Sequence, residues 1–183
     1  MELPTQYQWL TGLRGLPNTI KLGLAEYGVA EVVGKGSNRT IIAWRDELNQ
    51  AGVKITGFSG DDVPWCGLFA AVITYRRLKK ADEVVKDPLW ARNWVNYGVA
   101  SPTPGLGDIL AFGRDGGGHV GFYIGEDATA YHVLGGNQSN KVCITRVLKS
   151  RLLAARRPPY VTKPAAAKSY LLASSGAVSK NEA

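Results

Sequence analysis

Near residue 105 the chain changes hydrophobic period, and that change limits its possible folds more than any other feature. Before it, apolar residues recur at helical spacing. "LPNTIKLGLAEYG" opens with Pro17 near a first turn and stops at Gly28, the punctuation of a short helix. "GKGSNRTIIAWRDELNQAG" reads as a loop with Ser37 or Asn38 as cap, then a helix from about Arg39 to Gln50 that ends at Gly52. Ile41, Trp44, Leu48 and Ala51 share its apolar face. From Trp65 to about Lys80 nearly every position is apolar, which predicts a central helix buried on most sides. "DPLWARNWVNYG" predicts a shorter helix closed by Gly98, with Trp90 and Trp94 on one packing face. After the loop "SPTPGLG" the segments become short and rich in β-branched or aromatic residues: 108–113, 119–125, 128–136, 142–148 and 152–157. Glycine or Asn-Ser clusters separate them, as in an antiparallel meander of about five strands. Helices first and strands after predict an α+β fold, with the helices packed on one face of a small sheet.

The expected organisation is a single domain over residues 1–158 followed by a tail, 159–183, partly disordered or weakly helical around 165–173. A hydrophobic share of 45% and a charged share of 20% are those of a globular chain. No run approaches the roughly 18–20 apolar residues of a membrane span. "MELPTQYQWLTGLRGLP" lacks a basic start followed by an apolar stretch, so the expectation is synthesis in the cytoplasm with no secretory signal. Two cysteines make no disulfide framework. The net charge of +7 is uneven: from Lys141 onward nine Lys or Arg face one acid, Glu182, so this stretch carries +8 and residues 1–140 about −1. A basic end favours polyanions such as nucleic acid, anionic lipid or acidic envelope polymers, or is simply a solvated terminus. No aromatic residues interleave with these charges as a stacking platform requires, so nucleic acid is not the expected partner.

The chemistry concentrates at "DDVPWCGLFAAVITYRR". Cys66 stands where an acidic loop enters the buried helix, among unpaired backbone N–H groups and at the positive end of the helix dipole, both of which stabilise a thiolate. A packed, silent thiol is the competing reading. "GRDGGGHVGFYIG" sets His119 at the start of a strand behind three glycines, where an imidazole on a rigid element can serve a thiolate as base. Gly116 to Gly118 let backbone and substrate pass close beside it. The imidazole's second nitrogen needs an acceptor; "AYHVLGGNQSN" offers Asn137, with His132 as competitor. Alternation puts residues 132 and 137 on opposite faces unless Gly135-Gly136 forms a bulge. Trp65 and the Asp61–Asp62 pair are candidates for the groove wall, Trp65 equally for a core anchor. Asp108 reads as a structural cap of backbone N–H groups. A zinc site built from Cys66, Cys143, His119 and His132 lacks CxxC or HxxxH spacing, so no metal or other cofactor is expected.

"VPWCGLFAAV", then "PGLGDILAFGRDGGGHVGFYIGED", then "YHVLGGNQSNKVCITRV" resemble the NlpC-type and CHAP-type cysteine peptidoglycan hydrolases, and within them a subgroup common in phages and prophages. The resemblance covers roughly residues 35–158. It implies a papain-like fold and hydrolysis of an amide bond in the peptide stems of the bacterial cell wall. It implies Cys66 as nucleophile, His119 as base and Asn137 as the third residue, with Trp65, Asp62 and Gly118 about the substrate. Many CHAP-type members carry a glutamate two residues before that asparagine, where this chain has Gly135, and the NlpC-type pattern favours His132 instead. The implied partner is peptidoglycan, met after release as a phage lysin or injection as an antibacterial effector. The latter would bring an immunity protein over the groove. The basic tail would meet anionic envelope polymers or lipids. The alternative function is a non-catalytic envelope- or nucleic-acid-binding module that uses the basic C-terminal region.

Overall fold

A computed structural model describes residues 2–174 and 177–179. Among these the chain forms helices α1 (Asn18–Ala25), α2 (Arg39–Gln50) and α3 (Cys66–Leu78), and strands β1 (Val99–Ala100), β2 (Ile109–Arg114), β3 (Gly117–Glu126), β4 (Ala130–Gly135), β5 (Cys143–Leu148) and β6 (Leu152–Arg157). The α+β class and the helices-on-sheet arrangement are as expected.

The caps explain the helix limits. Asn38 accepts the Thr40 N–H at 2.8 Å and so starts α2. Lys79 in the left-handed region (φ 55°) ends α3. From Cys66 to Thr74 every α3 residue is buried, because α3 lies between α1, α2 and the sheet. Its partly buried Arg76 reaches Glu26 and Glu47, each at 2.6 Å, and ties α3 to the end of α1 and to α2. The segment expected to be a helix around Trp90 and Trp94 is a tighter 3-10 turn, Ala91–Asn96, and an unexpected 3-10 stretch, Thr5–Gly12, precedes α1.

The antiparallel sheet has the order β1-β6-β2-β3-β4-β5, six strands rather than about five. The extra one is the two-residue β1, too short to show a period, which pairs with β6. The last strand does not continue the meander: β6 lies beside β2, four positions from β5. A flat sheet would separate β5 and β6 by about 19 Å. The link from Leu148 to Leu152 spans at most about 14 Å. The sheet therefore curls without closing. Its outer face, with Ile109, Ala111, Val120, Phe122, Ile124 and Leu134, packs on the helices. Its inner face holds a second core of Leu110, Phe112, Tyr123, Val133 and Val147.

The segment after Pro158 forms no helix at 165–173. Turns bury Ala166 and Ala167, and the chain then runs along the end of β3, where the Leu172 N–H donates to the Glu126 carbonyl at 2.8 Å. Residues 175, 176 and 180–183 of the expected tail lie outside the described residues. Nor is the basic C-terminal charge one patch. Arg146 pairs with Asp127, Lys149 with Glu126 and Arg157 with Asp108. Asp108 is fully buried and also accepts from the Gly105 N–H, the capping role expected of it. No described helix is long and apolar enough to cross a membrane.

A buried polar knot on β4 carries a pH prediction. His132 donates through Nε2 to Asp127 and accepts the Tyr7 hydroxyl at Nδ1 (2.7 Å), so it pins the N-terminal segment to the sheet. Arg146 holds the Asp127 carboxyl well below the usual carboxylate range, and burial pushes His132 below its usual 6.5, against the pull of Asp127. A depressed histidine is neutral when folded, while the unfolded chain takes up the proton first. Its contribution is therefore whole above about pH 6.5 and is lost as pH falls. The melting temperature should drop between about pH 7 and pH 5, and the variant His132→Gln should flatten that slope. A wild-type profile level over that window would contradict the assignment.

Candidate functional site

The site is built where the first turn of α3 meets the ends of β3 and β4. Cys66 is the first residue of α3, 6% exposed, and the first turn contains no acidic side chain to offset the helix dipole. Gly67 must be glycine, because a Cβ there would stand 2.1 Å from the Pro88 carbonyl. Gly136 lies against the Phe69 Cβ and the Trp65 ring, with a Cβ position 2.6 Å and 2.7 Å from them, and so presses the end of β4 onto the α3 start.

A groove of about 370 Å³ opens beside Cys66. Gly116–Gly118 form part of its wall, with Val63, Leu89 and Trp90. Arg92 fixes the glycine hairpin by donating to the Gly117 carbonyl at 2.8 Å. Gly118 thus shares the groove with Cys66, and His119 follows it directly in β3.

His119 is 1% exposed. Its ring stacks on Phe112, its cross-strand partner, on the inner side of the sheet (22° between planes, centroids 6.3 Å). β4 pairs with β3 only from Phe122 onward, so within the described ladder His119 has β2 alone as strand neighbour. The ring's Nε2 lies 3.0 Å from Gln138 Oε1. Gln138 Nε2 donates to the carbonyls of Val133 (3.1 Å) and Cys143 (2.6 Å), which fixes the amide with its oxygen toward the imidazole. Nε2 of His119 must therefore carry the proton, and in the neutral ring Nδ1 carries the lone pair.

Asn137, expected to hold His119, is turned elsewhere. Its Oδ1 accepts the Trp65 backbone N–H at 3.4 Å and its Nδ2 donates to Glu31 Oε1 at 2.6 Å. The same Glu31 oxygen accepts the Trp65 indole N–H at 2.8 Å. His132, the competitor, belongs to the knot with Asp127 and Tyr7. The ring partner is Gln138, one residue on. The reason is local: Asn137, Ser139 and Asn140 all have positive φ (52–60°), so strand alternation ends at Gly136 and neighbouring side chains diverge.

Of the other expected wall residues, Trp65 is fully buried against Trp44 and cannot face a ligand. Asp62 is exposed but lies outside the groove wall, while its neighbour Asp61 is buried and accepts the N–H groups of Val32 and Asn38. Trp90, read as packing, is instead 53% exposed on the groove. Glu31 carries no motif, and Gln138 ends the Leu-Gly-Gly-Asn-Gln run within "YHVLGGNQSN", where Asn137 and not Gln138 is the expected partner of the imidazole. Neither cysteine is in a disulfide, and burial pushes the Cys143 thiol up. Among the described residues no group of three or more His, Cys, Asp or Glu is placed to hold a metal ion. No family model matches the chain, and no curated protein matches its sequence.

Proposed function

We propose that the protein is a papain-like peptidoglycan hydrolase that cleaves an amide bond of the cell-wall peptide stem, with Cys66 as nucleophile and His119 as base. The supporting observation is a shared neighbourhood: Cys66, which opens a buried helix, lines one groove with Gly118, and the next residue of β3 is His119, whose tautomer Gln138 fixes. The proton on Nε2 makes Nδ1, the nitrogen not engaged by Gln138, the basic one. The Cys66 proton moves to Nδ1, and the thiolate attacks the scissile carbonyl. The backbone N–H of Cys66, at the helix start, donates to the developing oxyanion. The C–N bond breaks as imidazolium His119 returns its proton to the departing amine. Neutral His119 then takes a proton from water, whose oxygen attacks the thioester carbonyl; the C–S bond breaks to release the acid, and the imidazolium proton goes to the departing sulfur, which restores the thiol and the neutral ring.

The enzyme acts on the wall after release or injection, as a phage-type lysin or as an antibacterial effector with an immunity partner. Purified cell walls digested by the wild type should yield soluble peptide-bearing fragments with one new amine per bond cut, read by mass spectrometry. The Cys66→Ala variant should yield none. Walls left intact by a folded wild type would refute the reading.

A further inference from the structure

Glu31 stands outside the groove wall, and the proposed chemistry does not use it. It is half-buried in the segment between α1 and α2, and one of its carboxylate oxygens receives two donors: the Trp65 indole N–H at 2.8 Å and the Asn137 amide at 2.6 Å. Asn137 closes the triangle, its Oδ1 accepting the Trp65 backbone N–H at 3.4 Å. Trp65 immediately precedes Cys66, and Asn137 immediately precedes Gln138, the residue that fixes the His119 ring. A single oxygen therefore ties the residue before the sulfur to the residue before the amide that orients the imidazole. The backbone of the same segment holds that loop as well: the Glu31 N–H donates to the Asn140 carbonyl at 2.9 Å, and Ala30 bridges to Lys141. Asp61 anchors the segment in turn by accepting the N–H groups of Val32 and Asn38. Hydrogen bonds to a carboxylate are roughly twice as strong as those between neutral groups. We propose that Glu31 is a positioning residue of the hydrolase: through Trp65 and Asn137 it sets the start of α3 against the loop that carries Gln138. This rests on Cys66 and His119 being the nucleophile and the base.

The test compares Glu31→Gln, which keeps an oxygen acceptor, with Glu31→Leu, which keeps the bulk and loses it, in the full chain and well below either melting temperature. Initial rates of fragment release over a range of cell-wall concentrations give kcat and an apparent KM. Glu31→Leu should lose about 30- to 100-fold in kcat with KM within about twofold, the scale of a catalytic group displaced by about 1 Å. Glu31→Gln should stay within about threefold of wild type, because its amide oxygen can still accept both donors. Combining Glu31→Leu with Asn137→Ala should cost less than the product of the two single losses, since the side chains form one link. Lowered stability alone does not produce this pattern. Arg76→Met, which unties the far end of α3 from Glu26 and Glu47, should lower the melting temperature and leave kcat within about twofold. Should Glu31→Leu fail to fold, Glu31→Asp withdraws the carboxylate by one methylene and should cost about tenfold in kcat. Wild-type kcat in the folded Leu or Asp variant, a Gln variant as slow as Leu, or losses that multiply in the double variant would overturn the role while wild-type wall cleavage still stood. A wild type that leaves walls intact would instead remove the hydrolase reading and this inference with it.

Discussion

Exchange of Cys66 for alanine should abolish release of soluble fragments from cell walls, an expected loss of at least about 10³-fold, while the protein keeps its fold. The two halves of that result come from different physics. Cys66 is 6% exposed and sits with the helical core, so removing one sulfur leaves a small void and costs about 1 kcal/mol. The expected catalytic loss is far larger, because the other cysteine cannot take its place: Cys143 lies on β5, its sulfur donating to the Gln138 carbonyl at 3.3 Å, with its thiol pushed up by burial. A melting temperature within a few degrees of wild type, together with lost cleavage, separates chemistry from unfolding. Residual cleavage above about one part in a hundred would mean that the nucleophile lies elsewhere.

The second large effect concerns the imidazole and what holds it. In the proposed mechanism His119→Ala removes the proton acceptor and donor of both half-reactions, with an expected loss of about 10²- to 10⁴-fold in kcat. Gln138→Ala leaves the ring but frees its plane and tautomer, because no acceptor then fixes the proton on Nε2. Misplacement of a catalytic group by about 1 Å costs about 10²-fold, and that loss should fall on kcat with KM little changed. Asn137→Ala should behave differently. It removes the acceptor of the Trp65 N–H and a donor to Glu31, so it loosens the start of α3 and lowers stability as well as rate. An Asn137→Ala variant that loses kcat at full stability, with Gln138→Ala near wild type, would return the orienting role to Asn137.

That contrast marks where the sequence was legible. Helix ends followed from local chemistry: the Asn38 cap, the wholly apolar run from Cys66 and the β-rich segments after residue 108 each fixed an element within a few residues. The order of strands did not follow, because the short link between Leu148 and Leu152 forces the sheet to curl and brings β6 beside β2, a constraint set by the whole sheet. Cys66 and His119 could be singled out because each stands at the edge of an element with a strong signal. Gln138 could not. Its direction depends on the positive φ of Asn137, Ser139 and Asn140, none of them glycine, and Asn or Ser in a loop does not by itself announce that conformation. Trp65 takes the core place that was one of its two expected readings, and Trp90, expected to pack, faces the groove, because helical spacing shows which residues share a face, not which face the rest of the chain covers. Trp65 caps α3 under Trp44, and Trp90 precedes a 3-10 turn that points it at the groove.

The central claim is that His119 draws the proton from Cys66 and leaves a reactive thiolate at the start of α3. Alkylation of the two cysteines by iodoacetamide, followed residue by residue by peptide mass spectrometry at neutral pH, tests it most directly. Exposure alone favours Cys143, which is half-buried where Cys66 is buried. The account predicts the reverse: Cys66 reacts at least about tenfold faster than Cys143, and His119→Ala erases the advantage. Equal rates at the two cysteines, or a Cys66 rate indifferent to the loss of His119, would contradict it.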